Sequence, residues 1–127
     1  MFTIDEKTES FVASGDLSAC LGRVVQPHIG ANFVVELATA DKGFGVLANA
    51  PKDTEHASVV TEGITMVRVG AAVSAGDRLC STTSGWAITA TQAAAHFVFA
   101  LARTNAASGM LAAAEVIDGF VTVQSGA

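Results

Sequence analysis

The segment from Gly63 to Ile88 limits the architectures open to this chain more than any other. Gly63-Ile-Thr-Met-Val-Arg-Val-Gly70, Ala71-Ala-Val-Ser-Ala-Gly-Asp77-Arg-Leu-Cys-Ser81 and Thr83-Ser-Gly-Trp-Ala-Ile88 read as three short strands joined by tight turns. In the first, Ile64 and Met66 with either Val67 or Val69 make an alternating, half-buried strand. Gly70 is placed to take a positive φ where that strand ends, and Ala75-Gly76-Asp77 supplies turn chemistry before Leu79 resumes the apolar pattern. Gly63, Gly70, Gly76, Asp77 and Gly85 are therefore the expected structural turn positions. Residue types of this kind serve backbone geometry and packing rather than catalysis, and they predict a small β-rich module that works through its surface.

The remainder of the chain repeats the pattern. Leu21-Gly-Arg-Val-Val-Gln26 and Phe33-Val-Val-Glu-Leu37 are strand-like runs separated by the turn material Pro27-His-Ile-Gly30-Ala-Asn32. Asp41-Lys-Gly43 marks a turn, Phe44-Gly-Val-Leu-Ala48 a strand, and Pro51-Lys-Asp53 a loop leading to a strand over Ala57–Thr61. Thr89–Ala95 reads as a loop with helical character, because seven residues cannot sustain a helix alone. Phe97–Ala102 is a buried strand and Asn105–Gly109 a turn. Met110–Ile117 is alanine-rich, which favours helix, but its flanking turns and the Gly119–Gln124 strand favour a hairpin; strand is the reading adopted. Residues 1–18 are polar and irregular, with Phe2, Ile4, Phe11 and Val12 as isolated apolar residues lacking an evident partner. An N-terminal arm over 1–18 and a β-rich domain over 19–127 follow, with those four residues as candidate contacts to another subunit, made by strand addition.

Composition narrows the function classes. A chain of 127 residues is one domain by length, and one this size buries roughly two-thirds of its unfolded surface. Half of the residues are hydrophobic and 15% are charged, so part of the surface is expected to be covered by a partner or by further copies of the chain. The net charge of −5 includes no Lys/Arg cluster, which argues against nucleic-acid binding. Apolar runs such as Phe97–Ala102 fall far short of the ~20 residues of a spanning helix, so no membrane association is expected. The acidic N-terminus lacks the form of a signal peptide, which places the protein in the compartment where it is made. Cys20 and Cys80 lie far apart in strand-like contexts, which favours buried reduced thiols over a disulfide, and neither has a neighbour at zinc-ligand spacing.

No residue cluster calls for an enzyme or a cofactor. His28, His56 and His96 each lie outside any motif, and a Ser84-His56-Asp77 site has no nucleophile elbow to present its serine. Asp41-Lys-Gly-Phe-Gly45 precedes a strand where a phosphate loop would open a helix. Asp5, Glu6 and Glu9, or Asp53 and Glu55, offer too few carboxylates for a cation loop. Trp86 reads as a turn-flanking core or interface residue.

The order of these features resembles the small head decoration, or cement, proteins of tailed bacteriophages, which have a β-tulip type of fold. The resembling residues run from Leu21 to about Ile117: Phe44-Gly-Val-Leu-Ala48 before a Pro/Lys/Asp loop, a strand pair in Val59–Val69, Ala75-Gly-Asp-Arg-Leu79, the Gly85 turn, and Phe97–Arg103 before Ala-Ala-Ser-Gly109. The alanine-rich segment and the extra Phe120-Val-Thr-Val strand depart from that pattern. The resemblance implies an all-β, β-tulip or barrel-like domain of short strands with an extended N-terminal arm. It implies a homotrimer, or sometimes another small oligomer, on the outer surface of an expanded capsid, bridging neighbouring major capsid subunits, with assembly in the host cytoplasm. The alternative is a small β-barrel or β-clip module that binds a ligand or serves as an enzyme subunit, which would require a pocket with convergent polar groups.

Overall fold

A computed structural model describes residues 7–28, 30–39, 43–90 and 96–123, with the backbone alone for residues 96–97 and 118–123. The described residues form an all-β structure with a closed five-stranded barrel and additional strands. Its strands are β1 (Lys7–Ala13), β2 (Val24–Pro27), β3 (Val34–Leu37), β4 (Gly45–Leu47), β5 (His56–Arg68), β6 (Arg78–Ser81), β7 (Ala87–Thr89), β8 (His96–Ala102) and β9 (Leu111–Val123). They hydrogen-bond in the order β1-β3-β2-β4-β5-β9-β8-β6-β7, and β1 also pairs with β5 to close the barrel. A 3-10 turn, Thr83–Gly85, connects β6 to β7.

Strand β5 is the hinge of the architecture. Its first half pairs with β1 and β4, for example Phe11 with Ala57 and Val46 with Val60, while its second half, from Gly63 to Arg68, pairs with β9. Gly63 has φ +109° at the changeover, a conformation that residues with a Cβ resist. A strand pair was expected over Val59–Val69; one continuous thirteen-residue strand is found, and Gly63 lies inside it rather than at its boundary. The strands beyond β9 curl back, because Val69 forms a parallel bridge with Ala87 and the Gly70 N–H donates to the Ala87 carbonyl (2.8 Å).

Two apolar clusters explain why so many adjacent residues are buried in pairs. Val25, Val35, Leu47, Ala57 and Val59 pack in one cluster with Ala13, Leu17 and Cys20. Their neighbours Val24, Val46 and Val60 point the other way, into a second cluster with Val67, Leu79, Phe99 and Val116. Side chains alternate across a strand, so β2, β4 and β5 are covered on both faces, and the Val-Val and Val-Leu doublets are the sequence signature of that burial. The alanine-rich β9 follows the same rule. Ala112, Ala114 and Val116 are buried while Ala113, Glu115 and Ile117 are partly exposed, and pairing with β5 on one edge and β8 on the other overrides alanine's helix propensity. Instead of a hairpin at the C-terminus, β9 runs unbroken from Leu111 through Val123, and with β5 it departs from the expectation of short strands throughout.

The partnerless arm is corrected over residues 7–18. Lys7–Val12 pair antiparallel with β5, Val12 and Ala13 pair parallel with β3, and Ala13 and Leu17 are buried in the first cluster. Phe11, isolated in the sequence, packs against Phe44 and the first cluster, where no local pattern could show it.

Candidate interaction surface

Strands and turns place the expected site residues at scattered points. Phe2 and Ile4 lie outside the described residues. Phe11 is not an outward contact: it packs on the first cluster and meets Phe44 edge to face, ring centroids 5.5 Å apart at 70°. Val12, on the opposite face of β1, is 40% exposed. Gly76 (φ +94°) and Gly85 (φ +74°) are turn glycines as expected, but Gly70 has no positive φ. Its constraint is proximity, since a Cβ there would come within 2.9 Å of the Trp86 Cβ. Asp77 closes its turn by accepting from the Ser74 N–H (2.9 Å) and the Thr89 hydroxyl (3.0 Å) through Oδ2.

The polar side chains that could carry chemistry are engaged elsewhere. His56 bonds to the Ser58 hydroxyl (2.9 Å), and no hydrogen bond among the described residues joins it to Ser84 or Asp77. His28 Nδ1 lies 2.6 Å from Glu36, whose other oxygen accepts from the Gln26 amide (2.7 Å). The buried Gln26 in turn accepts from the Thr39 N–H (3.0 Å), so this chain of bonds ties β2, β3 and the following loop together. Arg23 lies over the Trp86 ring at 4.4 Å, a cation–π contact across the 3-10 turn. The exposed Asp16 carboxyl is held below its ordinary range by hydrogen bonds from the Ser18 hydroxyl and the Ser18 N–H. Among the described residues no three His, Cys, Asp or Glu side chains gather into a metal site, and no helix is long and apolar enough to cross a membrane. Cys20 and Cys80 are both buried thiols.

What the surface does present is apolar. Leu21, Met66, Met110 and Leu111 are all 40% exposed or more. Leu21, Met66 and Leu111 border a groove of about 410 Å³ with Leu47 and Gly22 among its lining and Arg68 as its charged member. The groove lies where the loop before β2 crosses the second half of β5: the Arg68 N–H donates to the Gly22 carbonyl (2.9 Å) and the Gly22 N–H to the Leu47 carbonyl (3.0 Å). In the turn just before β3, Phe33 is 77% exposed with φ +59°. A bulky side chain in the left-handed region is uncommon, and an exposed one is held there by nothing in its own packing.

A known bacteriophage structure has this fold. Among the solved structures the chain matches is the head fiber gp8.5 N base of bacteriophage phi29, with a TM-score of 0.63, 17% sequence identity, and coverage of 91% of this chain and 98% of that one. No family model and no curated protein matches the chain. At this identity the likeness is one of fold, and it spans nearly the whole of both chains.

Sequence reasoning passed over the groove and Phe33. Strand parity held one usable signal: Val67 and Val69 are fully buried, so Met66 had to face outward. For Phe33 the signal lay in its position directly after Asn32, at the end of turn material. Leu21 and Leu111 are far apart in the chain, and Arg68 brings them to one place by pairing with Leu111 and donating to the Gly22 carbonyl beside Leu21.

Proposed function

We propose that this protein is a bacteriophage virion structural protein that attaches to the outer surface of the expanded capsid, stabilises it by contacting major capsid subunits, and acts as a homo-oligomer, most simply a trimer, without catalysis. The observation that carries this reading is a fold shared over nearly the full length with the base of a phage head fiber, the part of such a fiber named for a basal position. The exposed apolar residues support it, because Phe33, Met66, Met110, Leu111 and Leu21 are poor choices for a surface that meets only water. A decoration or cement role is the finer form of the reading: weak contacts made by each copy of an oligomer at a symmetric site combine into tight attachment. Co-sedimentation of purified protein with expanded capsids and with unexpanded precursors tests the attachment. Retention on expanded particles is expected; equal absence from both would refute it.

A further inference from the structure

We propose that copies of this chain associate head to tail, the Phe33 side chain of one copy seating in the groove bordered by Leu21, Met66 and Leu111 of the next. The inference deepens the oligomer in the proposed function by assigning its contact, and it stands on five observations. Phe33 is a large aromatic held at φ +59° and 77% exposed, so its own fold keeps a costly backbone conformation and receives no burial in return. Asn32, one residue earlier, is the type that tolerates the left-handed region; the chain puts the phenyl group there instead. The groove is apolar, about 410 Å³, and bordered by side chains 40–53% exposed, with room for one aromatic ring.

The placement of the two features requires a second copy. The Val12 N–H donates to the Phe33 carbonyl (2.8 Å), and Val12 pairs with His56, which sets Phe33 level with the start of β5. The groove is bordered by Leu21, Met66 and Leu111, and Phe33 is not among the residues that line it. A side chain left 77% exposed fills no groove of its own chain, so the occupant comes from a second copy. Charge is complementary as well. The turn bonded back to Ala13 and Gly15 brings Glu55 and Asp53 to the end of the barrel where Phe33 lies, with Lys52 as the cation of that turn. The charged residue of the groove is Arg68. A knob and a hole on different faces make a heterologous contact, which closes into a ring when the rotation between copies allows.

The test is size-exclusion chromatography with light scattering on the full chain, on Phe33→Asn and on Leu21→Glu. Wild type is expected to form a discrete oligomer and each variant to run as a monomer. An equal mixture of the two variants is expected to form a heterodimer that grows no further, because Phe33→Asn keeps its groove and Leu21→Glu keeps its phenyl group. Both positions are exposed, and Asn suits the backbone at 33, so the melting temperature of Phe33→Asn, taken at a dilution where wild type is monomeric, should equal or exceed that of wild type. A monomeric wild type, variants of wild-type mass, or a mixture that stays monomeric would overturn the contact. A Phe33→Asn protein that melts well below wild type would assign the residue to the chain's own stability instead. Because no capsid enters the measurement, its failure leaves capsid attachment to its own test, and failed attachment leaves this contact standing.

Discussion

At the scale of single residues, three positions show how differently backbone geometry and proximity constrain a site. Gly63 turns β5 from one set of partners to the other at φ +109°. Gly63→Val should cost more than the ~1 kcal/mol of an ordinary substitution, because a β-branched side chain is strained there and the strain falls on the strand shared by both halves. Gly70→Val should also lower the melting temperature, but by a different route, since its Cβ would press on Trp86 and disturb the Arg23 stack rather than strain its own backbone. Gly76→Ala meets nothing within contact distance, so its loss should reflect the left-handed conformation alone, about 1 kcal/mol. Thermal melts of the three variants check the set. Phe33→Asn is the reverse case, expected to be neutral or stabilising.

At the scale of elements, β1 completes the barrel. It lies between β3 and β5, and Ala13 and the following Leu17 are buried among Val25, Val35 and Leu47. Deleting residues 2–18 is therefore expected to open the seam, expose that cluster and abolish or broaden the cooperative unfolding transition, read by circular dichroism and dye binding. A full-strength native melt after the deletion would contradict the barrel closure. In the second half, Leu79→Ala should cost about 2–5 kcal/mol, since Leu79 is fully buried beside Phe99. Strand existence was legible wherever short apolar runs met turn residues: β3, β4 and β6 fall within such runs, and β2 and β8 overrun theirs by one residue, Pro27 and His96. Continuity was not. The Thr-Glu-Gly of β5 looks like a strand end, and whether a glycine ends a strand or bends it depends on partners supplied by β1 and β9, distant in the chain. Alanine in β9 likewise reads as helix until its alternate positions face a core already filled by Phe99 and Leu79. The groove was the least legible feature, being assembled from the loop before β2, β5 and β9.

At the scale of the whole molecule, two apolar clusters share the strands β2, β4 and β5, so the barrel and the strands added to it stabilise each other through the shared faces. A chain with 50% hydrophobic residues, a net charge of −5 and several large apolar side chains in water is suited to association by burial rather than by charge. Self-association and attachment should accordingly weaken little as salt is raised, whereas contacts made by exposed charges would weaken steeply. Sedimentation at low and moderate ionic strength distinguishes the two. The central claim, a structural role on a phage head, is tested most directly by cryo-electron microscopy of expanded capsids and unexpanded precursors incubated with the purified protein. Ordered density of the barrel at fixed symmetric positions on the outer face of expanded capsids, and not on precursors, is the result expected; bare capsids at saturating protein would contradict it.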